Sequence, residues 1–393
     1  MSIQRPGAGT EGLRRANTAA VLRALRRSGP SSRAALAQQT GLAKATVGVI
    51  VADLEAAGAV AEEDPTQGAR GRPGRPVALR GDRFVTLGLE LNVDYVSAVV
   101  LDLAGAPRLA ETRPARGTSD VDGLLDLARG ALEDAAGGCT VVGAGLAVPA
   151  LVRGDDRTVA WAPNLRTEGS ALAEALEDLV PGGRVAISND ANCAAYAEAH
   201  HGAATGVGHA LYLTGTVGIG AGIVQDGEVM RGGSGFAGEV GHMPIGDSTA
   251  RCGCGRRGCW EASVGLHAML AAVDMPELDT PLASAEAVAA RAADDLSVRS
   301  GLARVGRDLG LGIAMLSSVL DPEVVVLGGY FARLGELVLE PARHTLDGRL
   351  ASAVQTRPEL RLSTLGTGAA ALGAAELALG PVFSGELDLL SLD

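Results

Sequence analysis

Residues 238–261 read GEVGHMPIGDSTARCGCGRRGCWE, and no other stretch of the 393-residue chain is as chemically specific. They hold one His, three Cys, two Glu, six Gly and three Arg. Cys252 lies ten positions after His242, and Cys254 and Cys259 follow two and seven further on. Three thiolates and one imidazole at this spacing can close a tetrahedral zinc site, with Zn–S near ~2.3 Å and Zn–N near ~2.0 Å. The glycines between the cysteines let the chain fold back far enough for the sulfurs to converge. Four protein ligands leave no open coordination position, which favours a structural zinc over one that activates water.

Outward from this stretch, composition bounds the rest. The length suits two or three domains. Aromatic residues make up only 3% of the chain, so its cores must be built from Ala, Val and Leu. The net charge of −12 is unevenly spread: residues 1–80 carry 12 Arg or Lys against 6 Asp or Glu, and the remainder 22 against 40. A basic head on an acidic body points to nucleic-acid contact through the head alone. The N-terminal MSIQRPGAGTEGLRRAN is no signal peptide, and no apolar run reaches the ~18 to 20 residues of a membrane span. A cytoplasmic location without membrane attachment is expected. Cys139 and Cys193 stand apart from the cluster, and five cysteines in a reducing compartment fit metal ligation plus structural thiols.

In the head, residues 14–27 place Ala20, Val21, Ala24 and Leu25 on one helical face. Ser28-Gly29-Pro30 ends this helix, and Ser31 or Ser32 can cap the next, which stops at Thr40-Gly41. A third helix is predicted over Lys44–Ala57, burying Val47, Ile50, Val51 and Leu54. Helix, glycine turn and helix form a helix-turn-helix pattern, whose outer face offers Lys44, Ala45, Thr46, Gly48 and Asp53 to a major groove. AVAEED and PTQGARGRPGRPVALR then read as a β-hairpin wing carrying Arg70, Arg72 and Arg75 at its tip. Such a segment cannot pack a core, but its guanidinium groups can lie along phosphates or enter a narrow minor groove. The plainer alternatives are a solvated linker and an ordinary three-helix bundle; the two patterns side by side favour double-stranded DNA.

The body alternates strands and helices. Two strands over Phe84–Leu103 turn near Asn92-Val93-Asp94, and a helix over Val121–Ala136 follows. Next come strand TVVGAGLAVP, a loop containing Asn164, a helix over Ser170–Val180 and strand RVAISND, which leads through NDAN (189–192) into a helix over Cys193–His200. A second strand pair occupies 209–229. After the cysteine-rich stretch, helices from about Ser284 to Leu320, strand EVVVLGG, a helix and strand ELRLSTL complete the order. The expected class is α/β, with two similar lobes and a cleft between them.

NDAN at 189–192, GEVGH at 238–242 and CGCGRRGCWE at 252–261, behind a winged helix-turn-helix, together resemble the ROK family of repressors and sugar kinases, and its repressor branch in particular. The resemblance implies a winged helix-turn-helix over about 1–80 and an actin-like, two-lobed sugar-kinase-type domain over 81–393. The small lobe would span about 81–200 plus the C-terminal helix, and the large lobe about 201–365. It implies that Asp190 matches the general base of the kinases. Asn189, Glu239, His242 and Glu261 match positions that hydrogen-bond sugar hydroxyls, and Asn164 is a weaker match. It also implies that His242 turns one ring nitrogen to zinc and an edge to sugar, and that the zinc shapes the sugar-binding loop.

The chain departs from the kinases where they hold ATP phosphates. Their first turn resembles Asp-Ile-Gly-Gly-Thr, whereas Glu90-Leu91-Asn92-Val93-Asp94 lacks both glycines and adds a negative charge. Thr216-Val217-Gly218 replaces Gly-Thr-Gly, and Tyr330 follows Gly328-Gly329. These departures imply a sensor with no catalytic residues, in which Asp190 is a vestigial base. The expectation is a sugar- or phosphosugar-responsive repressor binding operator DNA as a homodimer or homotetramer; the alternative is an active ROK sugar kinase with a DNA-binding appendage.

Overall fold

A computed structural model describes residues 9–63, 75–117, 119–163, 165, 168–350 and 357–392. The head contains α1 (Thr10–Ser28), α2 (Arg33–Thr40) and α3 (Lys44–Ala56), then β1 (Val60–Glu62) paired antiparallel with β2 (Val77–Leu79). Of the two serines, Ser32 is the cap: its hydroxyl accepts from the Ala35 N–H at 3.2 Å. Gly41, at φ 70°, makes the left-handed turn that separates α2 from α3, where a side chain would be strained. The wing tip, with Arg70 and Arg72, lies outside the described residues. Arg75 at its base is exposed, 3.8 Å from the Glu62 carboxylate.

The first lobe comprises β3 (Phe84–Leu91), β4 (Tyr95–Asp102), β5 (Pro107–Pro114), α4 (Val121–Ala135), β6 (Thr140–Val148), β7 (Leu151–Val152), β8 (Val159–Trp161), α5 (Ala171–Glu177), β9 (Arg184–Asn189) and α6 (Asp190–His201). Its sheet order is β5-β4-β3-β6-β9. The second lobe comprises β10 (His209–Gly215), β11 (Ile219–Gln225), β12 (Glu228–Val229), α7 (Glu261–Val264), α8 (Leu266–Val273), α9 (Pro281–Arg291), α10 (Leu296–Leu320), β13 (Val324–Gly329), α11 (Tyr330–Leu334), α12 (Glu336–Arg349) and β14 (Glu359–Leu362). Its sheet order is β12-β11-β10-β13-β14. In each lobe an antiparallel meander is followed by two strands added parallel on the far side of its first strand. The chain is therefore the α/β, two-lobed, actin-like fold with a winged head that its sequence implied.

The last helix, α13 (Ala369–Ser384), returns to the first lobe. There it approaches the sheet so closely that a Cβ on Gly88 would lie 2.0 Å from the Ala371 carbonyl, and one on Gly145 would lie 2.2 Å from that of Ala374. With α4 on the opposite face, β3 is buried along its whole length, which explains why apolar residues dominate it and why its Thr86 and Glu90 are buried too. One hydrophobic cluster joins Val21, Leu25 and Val47 of the head to Phe84 and Leu101 of the first lobe and to Leu372 and Leu379 of α13. The head is thus built into the body's core.

Several helix starts differ from the sequence reading: α1 begins at Thr10 where residue 14 is expected, and α7 and α8 precede the helices expected from about Ser284; two others have a visible cap. α6 begins at Asp190, three residues before the expected start, because the Asn189 side chain caps it by accepting from the Asn192 N–H at 3.1 Å. α9 begins at Pro281 where Ser284 was expected: the Thr280 hydroxyl accepts from the Ala283 N–H at 3.1 Å, and Pro281 at the first helical position lacks an N–H that would need a partner. Among the described residues, no helix is long and apolar enough to cross a membrane.

Candidate functional site

The cysteine-rich segment is a loop folded on itself and anchored at its end. The Gly246 and Gly258 N–H groups donate to the Gly258 and Ala250 carbonyls, and the Trp260 N–H donates to the Met243 carbonyl at 2.8 Å. Trp260 is only 1% exposed; its indole N–H donates to the Asp308 carbonyl at 2.9 Å, and Gly312 leaves room for its ring. Anchored this way, the loop brings one ligand atom each from His242, Cys252, Cys254 and Cys259 within 4.8 Å of one another. Cys252 Sγ lies 3.7 Å from His242 Nδ1, and Cys254 Sγ 3.7 Å from Cys259 Sγ. Two thiolates bound at ~2.3 Å around a tetrahedral ion stand about 3.8 Å apart, so the donor set and its spacing fit zinc. Burial opposes ionisation of Cys254, but donation from Arg256 and from the neighbouring thiols outweighs it and brings the thiol down to about 6. Burial pushes Cys252 up to about 12.

His242 also turns toward a group of carboxylates. Its Nε2 lies 4.0 Å from a Glu239 oxygen, while Nδ1 faces the thiols. Glu261 accepts from the Ile219 N–H at 3.1 Å and from the Cys252 thiol at 3.3 Å, which ties the start of α7 to the loop. Asp190 occupies the first position of α6, where its carboxylate accepts from the Ala191 N–H at 2.9 Å. Burial, reinforced by the Glu90 charge and then by Glu239, nonetheless lifts it to about 7. Glu239 is raised by partial burial, and Glu261 pushes it the same way. Glu239 thus stands between two groups, feeling the charges of His242 and Glu261 on one side and adding to that on Asp190 on the other.

Asn189 is more committed than its sequence position suggests. Its Oδ1 caps α6, and its Nδ2 donates to the Ala150 carbonyl at 3.2 Å, leaving one N–H and one lone pair. Asn164 lies outside the described residues.

Beside Asp190, a cavity of about 250 Å³ opens between the lobes; Glu90, Asp94, Tyr95, Thr214, Thr216, Arg333 and Thr367 are among its lining. Glu239, His242 and Glu261 do not line it. Glu90 enters the site unannounced, having been read only as the start of an altered turn. It is 3% exposed, and its Oε1 accepts both from the Tyr95 hydroxyl at 2.8 Å and from Asn92 Nδ2 at 3.1 Å. Its Oε2 has no partner, and burial raises its pKa. Asp94 spans the cleft, its Oδ2 accepting from the Leu282 N–H of α9 at 3.4 Å; burial lifts it to about 6. Tyr330 turns away from the cavity into the second lobe, where its hydroxyl donates to the Val264 carbonyl at 2.7 Å.

On the head, Lys44 and Ala45 are exposed, and Thr46 and Gly48 partly so, along the outer face of α3. Asp53, expected on the same outer face, is ion-paired with Arg14 of α1 at 3.0 Å, an inter-helix pairing that helical periodicity does not reveal. Val49, which the sequence reading does not single out, is 62% exposed one turn after Ala45.

Fold and site together define a winged-helix head joined to a two-lobed, actin-like domain of the sugar-kinase type. The chain belongs to the ROK family, whose model matches residues 86–380, and a MarR family model matches residues 11–71. It is 30% identical to the xylose repressor of Bacillus subtilis over 375 residues, covering 93% of this chain and 96% of that protein. It is also 30% identical to a glucokinase of Streptomyces coelicolor over 316 residues, covering 76% of this chain and 98% of the kinase. A crystal structure of a ROK family transcriptional regulator, a homologue of the Escherichia coli MLC protein, superposes with a TM-score of 0.79 over 96% of this chain and 98% of its own, at 24% identity.

Proposed function

We propose that this protein is a sugar-responsive DNA-binding repressor, in which residues 1–80 read an operator and residues 81–393 sense a sugar or phosphosugar. The observation that carries the reading is a cleft lined by Glu90, Asp94 and Asp190 in a body whose core continues into the winged head, and Glu239, His242 and Glu261 are assigned to the same sugar site from the sequence pattern. Carboxylates, an amide and an imidazole suit a sugar because each engages adjacent hydroxyls, and a buried group left unmet penalises the wrong one. Asn189 adds its free N–H, and Asn164 is assigned to the same pocket from the sequence pattern alone. A zinc held by His242, Cys252, Cys254 and Cys259 would fix the loop carrying one wall of this pocket, tying the loop's folding to effector binding. The similarity to a xylose repressor supports the regulatory sense.

In the head, Lys44, Thr46 and the wing arginines Arg70, Arg72 and Arg75 supply phosphate and base-edge contacts, while Ala45, Gly48 and Val49 leave an apolar strip against the groove. Two half-sites require two heads, so a homodimer or homotetramer is the working assembly.

The kinase alternative draws support from the glucokinase similarity. It is disfavoured by the turn at Asn92-Val93-Asp94, where a carboxylate accepts from an N–H in the first turn of α9 and would repel a phosphate brought beside it. A thermal-shift screen of sugars and phosphosugars on the full chain tests the proposal. One or a few sugars should raise the melting temperature, and the shift should be lost in Glu239→Ala. A screen in which no sugar shifts the wild-type chain contradicts it.

A further inference from the structure

The head touches the body through one charged cluster as well as through the shared core. Arg26, near the end of α1, pairs with Glu376 of α13, donates to the Ala104 carbonyl in the turn between β4 and β5, and lies 6.0 Å over the Phe383 ring. The same Glu376 oxygen stands 2.5 Å from His201 Nε2, at the last residue of α6. Glu376 is 4% exposed, so one buried carboxylate is shared between the head and the C-terminal end of α6.

The opposite end of α6 begins with Asn189 as its cap and Asp190 as its first residue. A 12-residue helix is about 18 Å long and stiff along its axis. α6 also packs against α13 at close backbone range: a Cβ on Gly373 would lie 1.8 Å from the Cys193 carbonyl. Such close packing leaves α6 little room to slip against α13, so a shift at Asp190 is carried along the helix toward the far end, where the contact with the head is made.

We propose that Arg26, Glu376 and His201 form the joint through which occupancy at the Asp190 end of α6 resets the DNA-binding head. This rests on the regulatory reading above. Glu376 and its partners are positioning residues, remote from both ligands. Breaking a buried carboxylate's link to one cation removes the specific tie that makes the two elements shift together, while the shared core keeps the head attached. Binding at each end survives, and the influence of one on the other is lost.

The test uses the full chain with Glu376→Gln, which keeps the shape, and Arg26→Ala, which acts from the less deeply buried head side should the first variant fold poorly. DNA affinity is measured on the fragment upstream of the protein's own coding sequence, with and without D-xylose or D-glucose. In the wild type the sugar should change DNA affinity by about 5- to 150-fold, the usual range of allosteric coupling. In either variant this factor should fall toward one, while sugar affinity without DNA and DNA affinity without sugar stay within about threefold of wild type. The double variant should lose no more than either single one, since the pair acts as a unit. Variants that bind both ligands and keep the wild-type factor overturn the proposal.

Hydrogen exchange of the same proteins without ligand separates the joint from the reading it rests on. Glu376→Gln should speed exchange together in residues 21–28 and 197–201; a change confined to one of them overturns the joint. A wild-type chain whose DNA affinity no sugar alters refutes the regulatory reading instead, and the exchange result then decides the joint by itself.

Discussion

Replacing Asp190 by Asn should stabilise the ligand-free protein while removing its response to sugar. Asp190 is lifted to about 7, first by burial and then by the charges of Glu90 and Glu239. An unfolded Asp titrates near ~3.9. At about 1.4 kcal/mol per pH unit between the two values, keeping this carboxylate ionised in the folded chain costs up to about 4 kcal/mol at pH 8, and the partly open side of the site brings this to roughly 2–4 kcal/mol. The sign follows from proton uptake. Below about pH 4 the group is protonated in both states and costs nothing. As the pH rises to about 7 the unfolded chain alone loses the proton, so wild-type stability falls; above about 7 both states are ionised and the deficit is constant. Urea unfolding of both proteins at pH 5, 6, 7 and 8 should show an advantage for Asp190→Asn that grows with pH and levels off above 7. The variant should meanwhile lose the sugar-induced shift in melting temperature, because the amide offers one acceptor where the carboxylate offered two. Equal stability at pH 8, or a difference independent of pH, refutes the argument that uncompensated buried charge awaits hydroxyl groups here.

Other substitutions probe the remaining parts. Cys254→Ser should lower bound zinc from one ion per chain to near zero by elemental analysis and weaken the sugar response; unchanged zinc content refutes the ligand set. Arg72→Ala with Arg75→Ala should reduce the slope of log affinity against log salt by about one per lost phosphate contact, and an unchanged slope shows that the wing does not touch phosphate. In a coupled ATP assay across hexoses the wild-type chain should show no turnover above background, whereas turnover of about 1–100 per second, as in working kinases, would restore the kinase alternative.

The parts of this molecule that were legible in its sequence are those written in local pattern. The buried stripe of α3, the apolar run of β3 and the His-Cys spacing depend on neighbours a few residues away, and each reads directly as an element or a donor set. The two lobes were legible because the same meander-plus-parallel order occurs twice. What escaped depends on partners far along the chain. Glu376 meets Arg26 across 350 residues, and nothing in either segment announces the other. The pairing of Asp53 with Arg14 from another helix is likewise invisible to periodicity, which shows only that Asp53 lies on a polar face. Glu90 was read as a damaged phosphate turn; only the folded chain shows it buried beside Asp190 with an oxygen unpartnered. The start of α9 is local, set by a cap at Thr280 and a proline at the first helical position three residues ahead of Ser284.

The central claim is that a sugar bound beside Asp190 controls the grip of the winged head on DNA. Its most direct test is fluorescence anisotropy of the full-length protein on the labelled DNA upstream of its own coding sequence, titrated with monosaccharides and their phosphates. Tight, salt-sensitive binding that one sugar weakens at least fivefold in the wild type, but not in Asp190→Asn, is the predicted result. DNA binding that no sugar changes, or that the same sugar releases equally from Asp190→Asn, contradicts the account.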